Sequence, residues 1–190
     1  IRVTSANAMD ISGRVADRPI HVRGIPADKP GMSVMLAGQI SFNPLEETQN
    51  GTLVFDGAVW PPDENGLIAN PVTLTVENGV VTDIRGEGRD AAVFRSWMEA
   101  QDDPNMFRVA HWSLGYTPGA PQATGRIVDD ERVIGWGGVG IGTKGAWIGG
   151  DPWVAAAHTD GSNLLPSIYC DGVAIEENGK YVHPDLVAIC

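Results

Sequence analysis

The sequence predicts an α+β fold, a β-rich domain of mixed or antiparallel sheet with one main helix from Asp90 to Gln101. Glycine and proline supply 24 and 13 of the 190 residues, and many of them form turn pairs such as Asn50-Gly51 and Asn178-Gly179. Such frequent turns indicate many short strands. Only one segment places apolar residues at helical spacing. Many strands with a single helix favour an α+β domain over an alternating α/β one.

The predicted strands follow runs of β-branched, aromatic and alternating residues. The clearest is a hairpin from Pro71 to Arg85, in which apolar residues alternate with threonines before the Asn78-Gly79 turn and a second apolar run returns after it. Five further segments are predicted as strands: Thr52 to Phe55, Met106 to Trp112, Arg132 to Gly138, Trp153 to Asp160 and Ser167 to Tyr169.

The main helix is predicted from Asp90 to Gln101. Its apolar residues Val93, Phe94, Trp97 and Met98 recur at the spacing of one helix face. Asp90 is a suitable N-terminal cap, since aspartate side chains accept hydrogen bonds from the first free amides of a helix. Asp102-Asp103-Pro104 ends the helix.

Charge and hydropathy exclude several classes of function. The chain has 13 Lys and Arg against 24 Asp and Glu, a net charge of −11, and no window clusters the basic residues. Such a chain is not expected to bind nucleic acid or an anionic membrane surface. No apolar run approaches the roughly 18 residues that span a bilayer, so we expect a cytoplasmic protein.

Cys170 and Cys190 do not make a disulfide framework, and Cys170 is interpreted as a buried thiol.

A glycine-rich run from Gly135 to Gly145 invites comparison with a phosphate-binding loop. Such a loop opens a helix and places Ser or Thr after its lysine. Here Gly145 follows Lys144, and the nearby Gly149, Gly150 and Pro152 oppose a helix. The run is therefore interpreted as backbone that approaches another strand or a ligand closely.

His158 and Asp160 form the sharpest candidate for a site. Residues two apart share one face of a strand, so an imidazole and a carboxylate at this spacing can bind one metal ion. The spacing alone is a weak signal, because roughly one residue in eight is acidic. His183-Pro184-Asp185 has the same spacing and is predicted to lie at the surface. From the residues alone, His111 and His21 are more simply interpreted as structural histidines than as further ligands.

The order of these motifs resembles the C-terminal part of the aminopeptidase T-like metallopeptidase superfamily, which includes thermophilic aminopeptidases and 2,5-dihydroxypyridine 5,6-dioxygenases. The resemblance extends over most of the chain from about Gly38. The segments that carry it are Asn50 to Gly57, Pro71 to Gly79, Ala110 to Gly115, Gly135 to Gly142, His158-Thr159-Asp160 and Pro166 to Gly172. Members of the superfamily carry another domain upstream, and this chain begins at Ile1 without a methionine. We therefore expect residues 1–190 to form a single metal-binding catalytic domain, the C-terminal portion of a longer protein.

Departures from the peptidase pattern favour the dioxygenase branch. The peptidases hold two metal ions with Glu, Glu, His, Tyr, His and Asp, of which only His158 and Asp160 persist here. The other four positions fall, by motif order, at Gln39, His111, Gly138 and near Gly145. Without those ligands two adjacent ions could hardly be held. Resemblance to the dioxygenases instead implies a site in which two His and one Asp bind one Fe(II). His111, His158 and Asp160 match that set.

The resemblance implies an Fe(II)-dependent, extradiol-like dioxygenase whose catalytic metal ligands are His111, His158 and Asp160. Its partners would be O₂ and a small aromatic substrate, 2,5-dihydroxypyridine, which is cleaved between carbons 5 and 6 to N-formylmaleamate. We also expect a homo-oligomer. Arg126 is a candidate contact for an anionic substrate, although a solvated surface arginine is the simpler interpretation. Trp112, Trp136 and Tyr116 could stack on a ring but are interpreted as core residues.

Two alternatives remain open from the sequence. One is a metallohydrolase, an aminopeptidase or amidase, in which the same three ligands hold Zn²⁺, Co²⁺ or another divalent ion and lower the pKa of a bound water. The other is a non-catalytic binding domain, in which His158 and Asp160 only form hydrogen bonds across strands.

Overall fold

The chain forms two sheets that share one apolar core. The computed structural model describes residues 1–23, 30, 38–120 and 122–187. The strands are Arg2–Thr4 (β1), Asp10–Ser12 (β2), His21–Arg23 (β3), Gln39–Phe42 (β4), Asn50–Phe55 (β5), Ala58–Trp60 (β6), Gly66–Leu67 (β7), Val72–Glu77 (β8), Val80–Arg85 (β9), Val109–Gly115 (β10), Trp136–Lys144 (β11), Trp153–Leu164 (β12), Ser167–Cys170 (β13), Val173–Glu177 (β14) and Lys180–Tyr181 (β15). The fold is α+β and mostly β, as predicted.

Eight strands form the first sheet, in the order β15-β14-β13-β1-β2-β5-β8-β9, and seven form the second, in the order β3-β4-β10-β11-β12-β6-β7. All pairings between these strands are antiparallel. Buried side chains of both sheets contribute to the core, among them Ile11, Leu53 and Leu74 from the first sheet and Trp112, Val139 and Ile141 from the second. Because neighbouring residues of a strand face opposite sides, His111 and Gly140 lie on the other face of the second sheet.

The helices are short except for one. They are Arg89–Ala100 (α1), Ile127–Asp130 (α2) and Pro184–Val187 (α3), with 3₁₀ helices at Glu46–Thr48, Pro104–Phe107 and Ala146–Ile148. The predicted main helix is confirmed with bounds shifted by one residue. It packs against the first sheet, where the ring of Phe94 meets that of Phe55 edge-on at 6.0 Å between centroids.

The predicted capping role of Asp90 is wrong. Gly88 occupies the N-terminal cap of α1, and no side chain caps the helix there. The Asp90 carboxylate instead accepts hydrogen bonds from the backbone amides of Ala69 and Asn70, at 2.9 and 3.0 Å. These bonds tie the first turn of the helix to the segment that enters β8.

The hairpin is confirmed as β8 and β9, and most other predicted strands are found with shifted ends. The exception is the predicted strand from Arg132 to Gly138. Residues 132–135 precede the strand, and β11 instead runs through the glycines from Trp136 to Lys144. Glycine weakens a strand, but β11 is paired on both sides, by β10 and β12. These neighbours stabilise an extended conformation that the local sequence does not favour.

Two further expectations concern single features. Cys170 is exposed rather than buried, because it lies at the end of β13 next to a turn, and Cys190 lies outside the described residues. Within the described part of the chain, no helix is both long and apolar enough to cross a bilayer.

Candidate metal centre

His111, His158 and Asp160 meet on one face of the second sheet. His111 belongs to β10, whereas His158 and Asp160 belong to β12, and β11 separates the two strands. The register places Gly140 of β11 opposite both His111 and Asp160. Directly opposed residues of an antiparallel pair share a face, and so do residues two apart on one strand. The pairing therefore carries all three side chains to the same side.

Gly140 provides the space in which the two imidazoles stand. A Cβ atom on this residue would lie 2.2 Å from Cε1 of His111 and 2.8 Å from Cε1 of His158. With no side chain between them, the two rings stack at 5.3 Å between centroids and 12° between planes. The interpretation of the glycine-rich run as closely approached backbone is confirmed, since His111 and His158 lie directly against it.

The two distances between imidazole and carboxylate are close to those between neighbouring ligands of one octahedral ion. Nε2 of His111 is 3.3 Å from Oδ1 of Asp160, and Nε2 of His158 is 3.2 Å from Oδ2. One donor atom from each residue lies within 4.8 Å of the other two. Neighbouring ligands about 2.1 Å from an octahedral ion stand about 3.0 Å apart. Two imidazole nitrogens and a carboxylate oxygen so arranged could hold one divalent ion and leave its other positions open.

The orientation of His158 is fixed from the side away from Asp160. Nδ1 of His158 lies 2.8 Å from the carbonyl oxygen of Thr143. A carbonyl oxygen only accepts hydrogen bonds, so Nδ1 carries the hydrogen and donates it. This bond turns Nε2 toward Asp160, as is usual for a histidine that binds a metal through one nitrogen and is held through the other.

The charges of the cluster favour an ionised carboxylate. Burial alone would raise the pKa of Asp160, but the hydrogen bond from His158 and the charges of His158 and His111 outweigh it and lower this pKa. Burial would likewise lower the pKa of His158, yet Asp160 and the Thr143 carbonyl raise it.

A buried acid that the sequence did not single out lies next to Asp160. Glu131 follows α2, and its side chain is 13% exposed. It interacts with the side chains of Asp160 and Gln39. Burial, together with the charge of Asp160, raises the pKa of Glu131 to about 8. In the sequence, Glu131 belongs to an acidic run typical of a solvated surface, so no local signal marks it as part of a site.

A cavity of about 310 Å³ opens beside the two imidazoles. Its walls come from β10, from the end of β11, from β12 and from the 3₁₀ helix after β11. The lining residues are Ala110, His111, Thr143, Lys144, Gly145, Trp147, Ile148 and His158. This volume is at the lower end of the range for small-molecule sites, so the cavity suits a ligand the size of a single ring.

A charged group borders the same cavity. The Lys144 ammonium is buried and ion-paired with Glu46, which also binds Arg18. The buried ammonium lies 4.8 Å from the centre of the Trp153 ring. These contacts fix the end of β11, where the Thr143 carbonyl holds His158.

The other candidates of the sequence lie elsewhere. Arg126 is exposed at the start of α2 and lines a different cavity, together with Trp60. The structure does not bring it into the cavity of the two histidines, and its role stays a prediction. Trp112 is in the core and donates a hydrogen bond to Gln49 at 2.9 Å. Asp185 is 88% exposed, in agreement with the predicted surface position of the second His-X-Asp motif.

His21 differs in one respect from the structural histidine that was predicted. Its ring meets that of Trp147 edge-on, at 5.2 Å between centroids and 79° between planes. Its Nε2 is buried without a hydrogen-bond partner among the described residues. The side chain is therefore packed, but it is not a satisfied core histidine.

Comparison with known proteins finds relatives of this chain. The chain is 33% identical over 96 residues to 2,5-dihydroxypyridine 5,6-dioxygenase of Pseudomonas putida, a match that covers 50% of this chain and 27% of that protein. A solved structure of 2,5-dihydroxypyridine dioxygenase from Pseudomonas putida has the same fold, with a TM-score of 0.81 and 24% identity over 98% of this chain and 55% of the other. The chain thus spans only about half the length of that relative.

A more distant solved structure shares the fold. AmpT from Thermus thermophilus matches with a TM-score of 0.68 and 15% identity, over 96% of this chain and 50% of the other. The predicted resemblance to the aminopeptidase T-like superfamily is confirmed. The sequence profile of the NicX family, described as 2,5-dihydroxypyridine 5,6-dioxygenase, matches residues 1–183. The chain therefore belongs to the NicX family.

Proposed function

We propose that this chain provides the metal centre of a ring-cleaving dioxygenase, in which His111, His158 and Asp160 bind one Fe(II). The observation that carries the proposal is the group of two stacked imidazoles and one carboxylate, whose donor atoms lie 3.2 to 3.3 Å apart at the closest. Two histidines and one carboxylate on one side of an ion are typical of non-haem Fe(II) oxygenases. Family membership supports the same reaction class.

The proposed substrate is 2,5-dihydroxypyridine, which the name of the family and of the Pseudomonas putida relative both contain. In the proposed reaction, the bond between carbons 5 and 6 breaks and both atoms of O₂ enter the product, N-formylmaleamate. Carbon 5 becomes a carboxyl group and carbon 6 a formyl group. Fe(II), when bound, supplies the activation of O₂ that protein side chains cannot provide.

The side chains of this chain hold the site in place for that chemistry. The Thr143 carbonyl keeps the hydrogen of His158 on Nδ1, which leaves Nε2 free to bind. Glu131 interacts with the carboxylate of Asp160 from beside the donor cluster. The cavity beside His111 and His158 gives a ring room next to the open side of the centre.

The test is reconstitution of the purified protein with Fe(II) under anaerobic conditions, followed by oxygen uptake with 2,5-dihydroxypyridine. We expect one O₂ consumed for each ring cleaved, and N-formylmaleamate identified by mass spectrometry. Zn²⁺- and Co²⁺-loaded samples are assayed in parallel against aminopeptidase and amidase substrates. Hydrolysis by these samples, with no oxygen uptake by the Fe(II) form, would replace the proposal with a metallohydrolase.

A further inference from the structure

Trp147 stands in the wall of the cavity that contains the two histidines. It belongs to the 3₁₀ helix Ala146–Ile148, directly after the glycine-rich strand. It lines the same cavity as His111 and His158, and 46% of the residue is exposed. A large aromatic side chain is costly to leave exposed, and an open aromatic surface beside a polar cluster is typical of a binding site.

Contacts with Gly145 and His21 hold the indole in position. A Cβ on Gly145 would lie 2.6 Å from both Cδ1 and Nε1 of Trp147, so the indole packs directly over the backbone of that glycine. The ring of His21 meets it edge-on from another side, at 5.2 Å between centroids. A ring held in this way loses little freedom when a ligand binds against it.

The rest of the cavity suits a flat ligand with a polar edge. Ala110 and Ile148 contribute apolar surface, while His111 and His158 present the polar edge that leads to Asp160. A ring placed against the indole would gain stacking energy and could direct a hydroxyl toward the donor cluster. An acyclic ligand would gain less from the same wall.

We propose that the indole of Trp147 is the surface on which the substrate ring stacks, and that it selects planar hydroxylated rings over acyclic ligands. This inference rests on the proposed function, because it names how that same site recognises its substrate. Aromatic pairs contribute enough to predict an affinity loss of about threefold to tenfold when the aromatic surface is removed.

Three variants separate the parts of this proposal. Trp147→Leu keeps an apolar side chain and removes the aromatic face, whereas Trp147→Phe keeps a smaller aromatic ring. Gly145→Ala leaves Trp147 in the sequence but displaces its indole, and the backbone of Gly145 at φ −75° and ψ 151° accepts an alanine. Gly119→Ala is the matched control, since among the described residues its new Cβ would meet only Cγ2 of Thr117, at 3.9 Å.

The measurements are the anaerobic Kd for 2,5-dihydroxypyridine, by equilibrium dialysis of the Fe(II)-loaded and Zn²⁺-loaded proteins, and the metal content of each variant. We expect Kd to rise about threefold to tenfold in Trp147→Leu and in Gly145→Ala, and by about twofold in Trp147→Phe. Metal content and the Kd of Gly119→Ala should stay at wild-type values. In turnover, the loss should appear in KM and leave kcat within about twofold.

The outcomes distinguish this inference from the proposed function. If the wild type consumes oxygen but Trp147→Leu and Gly145→Ala bind the ring as tightly as it does, the stacking proposal is wrong and the dioxygenase proposal stands. If the wild type binds the ring through Trp147 but consumes no oxygen, only the dioxygenase proposal is wrong. Two further outcomes would overturn the stacking proposal. One is that the wild-type protein does not bind the ring, and the other is that the Trp147 variants lose metal.

Discussion

A methyl group on Gly140 would lie 2.2 Å from Cε1 of His111, closer than any packed side chain can tolerate. The same methyl group would lie 2.8 Å from Cε1 of His158. The Thr143 carbonyl holds His158, and both imidazoles lie against Asp160, so a ring that moves away from the methyl group gives up these contacts. The absence of a side chain at residue 140 is therefore a requirement of the donor cluster.

Gly140→Ala is expected to abolish metal binding while the chain still folds. The new methyl group forces the two imidazoles apart, and a displacement of even 1 Å spoils the geometry that one ion requires. The measurement is Fe(II) or Co²⁺ stoichiometry after anaerobic loading and desalting, with circular dichroism to confirm the fold. Gly119→Ala adds a methyl group in ordinary contact and should load like the wild type. Full occupancy in Gly140→Ala would contradict the placement of the ion between these rings.

Asp160→Asn is expected to lower metal affinity by more than a hundredfold. The amide keeps the shape of the side chain but removes the only carboxylate among the three donors, and with it the charge that favours a divalent cation. The chain provides its own control in Asp185→Asn, because His183 and Asp185 have the same spacing but Asp185 is 88% exposed. Competition with a chelator of known affinity gives both values. Equal affinity in the two variants would show that the metal binds elsewhere.

The sequence predicted the parts of this fold that local chemistry determines. The hairpin follows from alternation around Asn78-Gly79, and α1 from apolar spacing, so both were found almost in place. The glycine-rich strand was misplaced because glycine has a low strand propensity, whereas β11 is held extended by pairing with β10 and β12. Such pairing connects residues far apart in the chain and leaves no local pattern.

The same distinction applies to the candidate site. The period of a strand placed His158 and Asp160 on one face, and the resemblance to a known superfamily added His111. Glu131 and Trp147 were not found, because each reaches the site from a short helical segment beside the sheet. An acidic residue in a charged run and a tryptophan among glycines have no spacing that relates them to residues on β10 or β12.

The wild-type protein is expected to lose stability as the pH rises from about 4.5 to 7, and Glu176→Gln is expected to abolish this loss. Neither carboxylate oxygen of Glu176 has a hydrogen-bond partner among the described residues, and burial raises its pKa from 4.5 to about 7. Below pH 4.5 the group is protonated in both states. As the pH rises toward 7, only the unfolded chain releases the proton, so the free energy of unfolding falls by up to about 3 kcal/mol.

Urea denaturation at several pH values from 4 to 8 tests this prediction. The stability of Glu176→Gln relative to the wild type should increase across that window and become constant above it. Glu177→Gln changes the exposed neighbour on the same strand and should keep the pH dependence of the wild type. A parallel pH dependence in the wild type and Glu176→Gln would contradict a protonated Glu176 in the folded protein.

Glu46→Gln is expected to lower the free energy of unfolding by about 2 kcal/mol. Burial would raise the pKa of Glu46, but Lys144 and Arg18 outweigh it and lower this pKa, so the carboxylate is charged at neutral pH. Its removal leaves the buried Lys144 ammonium without the carboxylate that it binds. Because Glu46 is partly exposed, water screens the exposed part of the pair and the loss should lie below that of a fully buried pair.

A double variant separates the unpaired charge from a general loss of packing. Glu46→Gln combined with Lys144→Met removes both partners, so it should recover part of the stability that Glu46→Gln loses. Glu47→Gln alters the exposed neighbour and should change stability by less than about 0.5 kcal/mol. Urea denaturation at pH 7 measures all three variants. If Glu46→Gln is as stable as the wild type, the ion pair does not anchor the end of β11, and the orientation of His158 by Thr143 must depend on strand pairing alone.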